Sequence, residues 1–348
     1  MAALVLAGPS AAAGGAFQDT LDMPAHTSVF ASKSLLNGLA AAGKRIIAVG
    51  QRGHIVYSDD AGKTWQQALV PVSSDLVAVH FPSPQQGWAV GCDGVILHSA
   101  DAGATWTKQF DGRRLNPAVT AYYAAQSARG LLGNKAEAAA IVEGAGSLAA
   151  QGTENPFLDV WFADNQNGFV VGAFNLIFRT TDGGKTWEPW FHRTDNPNGL
   201  HLYSVRGVDG SVYITGEQGL VLKLDAAAGR FRALETPYRG TYFGVTGGNN
   251  AVVVFGLRGN AYRSVDGGRN WQKVHTAVEE GLTGAAVDGK DRLFLVSQSG
   301  RLLVSDDGGQ NFAPRKLDWV TPASAVLSVG DRAVAIAGAR GVRTQLLQ

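Results

Sequence analysis

Acidic side chains recur in this chain in arrangements that could bind a cation. Asp59–Asp60 and Asp306–Asp307 are adjacent carboxylate pairs, and carboxylate oxygens are ligands that Ca²⁺ prefers. A calcium-binding loop spaces its ligands over about 12 residues and ends in a glutamate, and no loop of this sequence offers that pattern. Asp60 and Asp307 are each followed two residues later by glycine, which favours a carboxylate that caps its own turn. The sequence therefore predicts no metal and no cofactor.

Other residue types that commonly carry catalysis lack a supporting context. His192, His201 and His275 show no metal-ligand spacing, and the chain has no glycine-rich nucleotide loop and no Ser-His-Asp arrangement. The single cysteine, Cys92, cannot form an internal disulfide. The 30 basic and 29 acidic residues leave a net charge of +1, with no basic stripe for nucleic acid.

The aspartates belong to a repeated eight-residue pattern, Ser/Thr-x-Asp-x-Gly-x-Thr/Asn-aromatic. Clear copies begin at Ser58, Ser99, Thr180, Ser264 and Ser305, and a worn copy with a displaced glycine spans 224–231. Each residue type suits a β-hairpin, because Asp accepts hydrogen bonds from the next backbone N–H groups and Gly adopts a left-handed φ. The aromatic residue begins the outgoing strand and can pack between sheets: Trp65, Trp106, Trp187, Trp271 and Phe312. This pattern is the Asp box, or BNR repeat, found mainly on β-propellers.

The spacing of the boxes predicts the number of sheets. The aspartates lie at 60, 101, 182, 225, 266 and 307, so most gaps are 41 to 43 residues and one is 81. A period near 40 with one hairpin per unit indicates four-stranded propeller blades. A tight turn before the third strand recurs seven times, ending at Gly53, Gly94, Asn175, Gly219, Gly259, Gly300 and Gly341. We therefore expect an all-β, seven-bladed propeller.

The long gap contains only one such turn, so it indicates an insertion rather than a lost blade. The strand pattern stops over 113–155, where Asn116-Pro117 starts a helix that Gly130 ends, and a second helix spans 134–144. This helical hairpin falls between blades two and three. Blade seven ends with the chain, and we expect part of 17–34 to supply its missing outer strand, which would remove an open sheet edge.

The first residues resemble a secretory leader. Residues 1–16 contain an apolar run and a small-residue cleavage region before Phe17, and no apolar run reaches the roughly 18 residues of a membrane span. We expect a leader remnant over 1–16 and a single monomeric propeller domain over 17–348, located in the periplasm or otherwise exported.

The boxes, the seven-fold count and the second strands Gly87–Gly91 and Gly168–Gly172 together resemble the photosystem II stability/assembly factor family of Asp-box propellers. The resemblance covers about residues 30–348. It implies a non-enzymatic factor that holds a membrane-protein subunit during maturation. The helical insertion departs from the photosynthetic members and is similar to proteins of non-photosynthetic bacteria, which often accompany exporters of the resistance-nodulation-division type. A membrane-associated protein partner follows from the resemblance.

Arginines at one end of the propeller are the candidate binding residues. Arg52, Arg258 and Arg340 share one turn position, and Arg193 and Arg239 fall in blade-to-blade connections at the same end. Tyr122 and Tyr123 lie in the first inserted helix at that end. Forked guanidinium groups suit carboxylate or carbonyl groups of a partner, and the resemblance also implies an arginine patch on one face. The alternative is that these side chains are only solvated.

A carbohydrate-active enzyme or lectin is the alternative function. Sialidases, which also carry Asp boxes, need an arginine clamp, a Tyr–Glu nucleophile pair and an acidic acid/base group. Tyr203 and Glu217 are the pair this sequence offers, but the Arg-Ile-Pro string that opens sialidase propellers is replaced by Arg45-Ile46-Ile47. The sequence therefore favours a non-catalytic protein.

Overall fold

A computed structural model describes residues 18–150 and 154–347, so the expected leader over 1–16 lies outside the described residues. Seven antiparallel sheets form in sequence order, six with four strands and the last with three. This confirms the seven-bladed propeller. The second strands are short apolar runs with nearly every residue buried, as in Gly87–Gly91, because both faces of a blade pack on neighbouring blades.

The strands follow the chain without a crossover, and their order within each blade is first to fourth from the axis outward. Blades one to three contain β1 (Leu36–Ala42), β2 (Arg45–Gly50), β3 (Ile55–Ser58) and β4 (Gln66–Gln67); β5 (Leu76–His80), β6 (Gly87–Gly91), β7 (Ile96–Ser99) and β8 (Thr107–Phe110); β9 (Phe157–Phe162), β10 (Gly168–Gly172), β11 (Ile177–Thr180) and β12 (Glu188–Pro189). Blades four and five contain β13 (Leu202–Val208), β14 (Ser211–Gly216), β15 (Val221–Asp225) and β16 (Arg230–Leu234); β17 (Tyr242–Gly248), β18 (Ala251–Gly256), β19 (Ala261–Ser264) and β20 (Gln272–Val274). Blades six and seven contain β21 (Leu282–Val287), β22 (Leu293–Ser297), β23 (Leu302–Ser305) and β24 (Ala313–Arg315); β25 (Ala323–Val329), β26 (Ala333–Gly338) and β27 (Gly341–Leu346).

A close backbone approach explains the glycine that ends most second strands. A Cβ on Gly91 would lie 2.1 Å from the Asp75 carbonyl oxygen, and one on Gly338 would lie 2.0 Å from the Pro322 carbonyl oxygen. A side chain does not fit at these two positions, so glycine there lets the second strand end against the start of the first. Blade six has Ser297 at this position.

Asp182 shows how an Asp box is closed. Its carboxylate accepts the Thr186 N–H (3.0 Å), the Thr186 hydroxyl (2.6 Å) and the Thr180 hydroxyl (2.9 Å). The Thr180 oxygen in turn accepts the Gly184 N–H at 2.8 Å. The boxes of Asp60, Asp101, Asp266 and Asp307 repeat these contacts, with asparagine in place of the second threonine in the last two. Each carboxylate therefore caps its own turn.

The same hydrogen bonds favour the ionised form of these aspartates. Donation from the Thr64 hydroxyl is the largest cause that lowers the pKa of Asp60 from 3.8 to about 2. Burial alone would raise the pKa of Asp307, but donation from the Asn311 backbone and amide lowers it to about 2. The folded protein therefore holds these two groups charged at a lower pH than the unfolded chain does.

The expectation for blade seven is wrong within the described residues, since its sheet has three strands. The segment from residue 18 onward instead follows the outer edges of blades two and one, through hydrogen bonds from Lys108 Nζ to Leu21 O (2.7 Å), from Ala25 N to Val70 O (3.0 Å) and from Ser28 N to Gln67 Oε1 (2.9 Å). It reaches blade seven only with the turn Ala31–Lys33, which packs against Gly341. The physical reason is that Leu21 is buried between blades one and two, which commits the segment to that edge.

Two helices lie between β8 and β9: α1 (Leu115–Ala128) and α2 (Lys135–Ala149). Val119 and Tyr123 of α1 are buried among aromatic residues of blades two and three. Asn134 and Glu137 form a reciprocal capping box at the start of α2. The Glu137 N–H donates to Asn134 Oδ1 at 3.0 Å, and the Asn134 N–H donates to Glu137 Oε2 at 2.8 Å. The helix continues past the expected end at Gly144, because Gly144 and Gly146 each cost an exposed helix only about 1 kcal/mol.

Asp182→Ala should destabilise the fold by about 1–3 kcal/mol, because the partly buried Thr180 hydroxyl and the two exposed donors of Thr186 lose their acceptor. Urea unfolding followed by tryptophan fluorescence measures the change. Asp225→Ala in the worn box is the matched control, since Asp225 accepts one backbone N–H, from Ala228 at 3.0 Å. An equal loss in both variants would contradict the assigned role.

Stability should fall as the pH is lowered from about 4 to about 2, and the box aspartates should contribute no slope above about pH 5. The sign follows from a folded pKa below the unfolded one, so the contribution is complete above the unfolded pKa and is lost through the folded pKa. Urea midpoints between pH 2 and 7 test this for the wild type and the double variant Asp60→Asn, Asp307→Asn. The variant should be less stable at pH 7 and decline less steeply, and parallel curves would refute the linkage.

Candidate partner-binding site

The turns between second and third strands all lie at one end of the propeller, here called the turn face, and the boxes lie at the other. The middle residue of five of these turns is a non-glycine residue in the left-handed region: Arg52 (φ 55°), Asp93 (56°), Phe174 (53°), Gln218 (52°) and Arg258 (57°). Left-handed backbone costs an ordinary residue about 1–2 kcal/mol. Five blades therefore place a side chain on the turn face at the cost of a strained backbone. Strained backbone conformations of this kind cluster at functional sites.

Four of the candidate arginines are exposed on the turn face: Arg52, Arg239, Arg258 and Arg340. In the described part of the chain, none of their guanidinium groups has a hydrogen bond or ion pair with another residue. Arg340 and Arg52 belong to the adjacent blades seven and one. Arg239 follows Tyr238, whose hydroxyl donates to the carbonyl of Leu257, the residue before Arg258, at 3.2 Å. Arg239 and Arg258 therefore lie near each other in a second part of the turn face.

The other three candidates have different surroundings. Arg193 is half-buried, donates to the Gly229 carbonyl at 3.1 Å and lies 5.2 Å from the Trp190 ring. Tyr123 is only 1% exposed, and its hydroxyl bonds His192 Nδ1 at 2.8 Å. Tyr122 packs edge-on against Tyr123 at 5.2 Å and is half-buried. Arg193 and Tyr123 therefore connect structural elements and are not free for a partner.

A row of four rings that sequence reasoning missed crosses blades three to five on the turn face. Phe174 contacts His201 at 4.4 Å, His201 contacts Tyr203 at 6.2 Å, and Tyr203 contacts Phe243 at 5.5 Å. The Phe174 N–H donates to His201 Nδ1 at 2.8 Å, so the neutral imidazole carries its proton on Nε2. Phe174 is 45% exposed.

The strand register holds a signal that identifies two of these rings. Tyr203 and Phe243 are the second residues of β13 and β17, at the irregularity where each first strand bulges away from the second. The equivalent residues of all seven first strands line the central cavity: Asn37, Val77, Leu158, Tyr203, Phe243, Thr283 and Ser324. This position therefore decides the chemistry of the channel.

The central cavity has a volume of about 720 Å³ and is mainly apolar. Its lining contains one acidic and one basic side chain, Asp159 and Arg206, and these pair with each other. Asp159 is 3% exposed and also accepts the Val205 N–H at 2.8 Å. The described lining therefore does not present the converging carboxylates and arginines of a sialidase.

The Tyr203–Glu217 pair does not have the geometry of a nucleophile and its base. Glu217 Oε2 accepts the His201 N–H at 2.8 Å, and no hydrogen bond joins it to the Tyr203 hydroxyl among the described residues. Burial, followed by the Glu217 charge, raises the pKa of Tyr203. The phenol therefore remains protonated at neutral pH.

Among the described residues there is neither a metal-binding cluster nor a membrane-spanning helix. These residues contain no group of three His, Cys, Asp or Glu side chains that could hold a metal ion. Over the same residues, neither α1 nor α2 combines the length and apolar character that a membrane-spanning helix requires.

A family model described as photosynthesis system II assembly factor YCF48 matches residues 19–100, 43–126 and 147–288, well over half of the chain. The chain belongs to this family. A curated relative, the photosystem II assembly lipoprotein Ycf48 of Picosynechococcus sp., is 33% identical over 138 residues, which are 38% of this chain and 39% of the relative. The match thus spans about two-fifths of that relative's length.

Solved structures of similar fold include family members and enzymes. A structure described as YCF48 bound to D1 peptide has a TM-score of 0.63 at 15% identity and covers 91% of this chain and 94% of its own. A streptogramin B lyase has a TM-score of 0.67 at 12% identity, covering 93% and 97%. At these identities the likeness establishes the propeller fold and leaves activity to the site.

Arg258→Gly should leave the free energy of unfolding within about 1 kcal/mol of the wild type, because relief of the left-handed strain offsets the added entropy of the unfolded chain. Arg258→Val should lose more than about 1 kcal/mol, since a β-branched residue fits that conformation poorly. Urea unfolding of both variants measures the difference.

Arg340 is the control position, because it occupies the same turn slot without a positive φ. Arg340→Gly should therefore cost about 0.5–1 kcal/mol, with no strain to relieve. Equal costs for glycine at 258 and 340 would show that the left-handed backbone stores no strain.

Proposed function

We propose that this protein is a non-catalytic, exported assembly factor that holds a segment of a membrane protein against its turn face. The observation that carries the proposal is the set of four exposed guanidinium groups without partners among the described residues: Arg52, Arg239, Arg258 and Arg340. Solvated cations of this kind gain little within the monomer, but they bind carboxylate and carbonyl groups well once a partner excludes water.

The four-ring row supplies the complementary apolar contact. Phe174 and Leu257 are 45% and 40% exposed on the turn face, and exposed apolar side chains are stabilised when a partner removes them from water. Aromatic and arginine side chains are the residue types that dominate binding energy at interfaces. A segment that combines acidic or terminal carboxylate groups with apolar side chains fits this surface.

The family supports a peptide ligand, since one member was solved bound to a D1 peptide. For this chain we infer a tail of a membrane protein as the ligand. The helical hairpin is packed on the outer edge of blades two and three, where it adds surface beside the turn face. As the partner, we favour an exporter of the resistance-nodulation-division type over a photosystem subunit, because the insertion is similar to that of the non-photosynthetic branch of the family.

Export is supported by the relatives, because the Picosynechococcus protein is named a lipoprotein. A periplasmic location and a leader over residues 1–16 remain part of the proposal, as does a single monomeric domain over 17–348. An enzyme built on the channel is the second candidate, and the paired Asp159 and Arg206 argue against it because each neutralises the other.

Changing Arg52, Arg258 and Arg340 together to alanine should leave the melting temperature nearly unchanged and reduce partner capture at least tenfold. Crosslinking pull-downs from solubilised membranes, quantified by mass spectrometry, measure the capture. The matched control changes Lys63, Lys185 and Arg269 to alanine, which removes three exposed positive charges from the box end. If the control also lost capture, the net charge of the protein would explain the effect, and the turn face would not. Unaltered capture in the first variant would refute the proposal.

A further inference from the structure

Neighbouring blades are tied together by one recurring contact at the box end. A side chain of one blade donates to the carbonyl of the residue that follows the box aspartate of the next blade: Arg45 to Ala102 (3.2 Å), Gln109 to Gly183 (2.9 Å), Lys223 to Gly267 (3.1 Å) and Arg263 to Gly308 (2.7 Å). In blades four and five the donor lies on the third strand, where Lys223 and Arg263 each come one residue before the box pattern begins. The box carbonyl thus serves as a fixed acceptor at each of these interfaces.

The interface between blades three and four lacks this acceptor. Blade four carries the worn box, in which β15 and β16 are joined by a shortened turn. Arg179 occupies the strand position of Lys223 and Arg263, yet within the described residues its guanidinium has no hydrogen bond and no ion pair. It lies instead 5.0 Å from the Trp190 ring and 6.0 Å from the Phe169 ring.

The missing turn leaves a cleft of about 640 Å³ between these blades. Trp161, Arg179 and Trp190 line the side of blade three, together with Asp164, whose carboxylate already accepts hydrogen bonds from Gln166 and Asn167. Asp209 and Ser211 line the side of blade four. A Cβ on Gly207 would lie 2.3 Å from the Trp161 indole, so glycine allows this ring to lie across the gap. The half-buried cation, the indole surface and the polar rim are therefore held by rigid strands.

We propose that this cleft binds an acidic monosaccharide, a sugar ring that carries a carboxylate. The guanidinium of Arg179 offers forked donors to a carboxylate in surroundings of low dielectric. The exposed Asp209 carboxylate disfavours a doubly charged phosphate, and together with the Ser211 hydroxyl it accepts hydrogen bonds from ring hydroxyls. No other described residue engages the side chain of Asp209 or Ser211.

This site lies at the end opposite the turn face, so it is independent of the proposed partner. The ring would stack on the partly exposed indole of Trp161, which presents a flat apolar face of matching size, whereas Trp190 is 3% exposed. Arg193, which also lies against Trp190, already donates a hydrogen bond to the Gly229 carbonyl. Arg179 is therefore the cation left for the ligand at this interface among the described residues.

Titration of the ¹⁵N-labelled full chain with D-glucuronate tests the proposal through the eight tryptophan indole N–H resonances. Shifts should concentrate on Trp161 and Trp190, which Trp161→Phe and Trp190→Phe assign. D-glucose, which lacks the carboxylate, and phenylacetate, which lacks the hydroxyls, should bind at least tenfold more weakly.

Arg179→Gln should weaken glucuronate binding at least tenfold, and Arg179→Lys should weaken it less, because the charge is kept. Arg263→Gln is the matched control, since it removes the equivalent guanidinium from an interface with an intact box, and it should bind as the wild type does. The dispersion of the indole resonances shows whether each variant is folded. Absence of shifts at tens of millimolar glucuronate, equal binding of glucose or phenylacetate, or full binding by a folded Arg179→Gln variant would overturn the proposal.

Discussion

The carboxylate that closes each box turn is the interaction on which the ring depends. The box turn cannot pair all of its backbone N–H groups with neighbouring strands, and an unpaired buried N–H costs about 1–3 kcal/mol. The Thr180 oxygen accepts the buried Gly184 N–H, and Asp182 holds the Thr180 hydroxyl in place while it accepts the exposed Thr186 N–H, so the two side chains together fix the course of the turn. Once the turn is fixed, the carbonyl of the residue that follows the box aspartate has a constant position, and the neighbouring blade can donate to it. Local capping thus becomes a contact between blades.

The two ends of the propeller consequently differ in how their polar groups are used. At the box end, arginines and lysines of the third strands are engaged by the next blade. At the turn face, the middle turn residues pay for a left-handed backbone, and their arginine side chains find no partner among the described residues. Backbone strain that no contact within the monomer offsets is expected where the residue binds a ligand or partner from outside.

Much of the fold was predictable, because the box pattern has a period and each position in it has one physical task. The seven sheets and the capping role of Asp60, Asp182 and Asp307 follow from residue types alone. The path of residues 18–34 was not predictable, because it depends on Leu21 finding a buried place between blades one and two. The ring row was missed for a similar reason: Phe174 and His201 are 27 positions apart and meet only across a blade interface.

Among the candidate site residues, the sequence could identify the arginines of the turn slot but could not distinguish free side chains from engaged ones. In the sequence, Arg193 and Arg239 both fall in a connection between blades and cannot be told apart. Only the structure shows that Arg193 donates to the Gly229 carbonyl. The worn box explains why Arg193 is needed there. Without a regular turn in blade four, the usual donor, Arg179, has no acceptor, and the connection after β12 supplies a substitute contact at Gly229. Beside the worn box, Arg179 is therefore left without a hydrogen-bond partner among the described residues, while Arg193 is engaged by the Gly229 carbonyl.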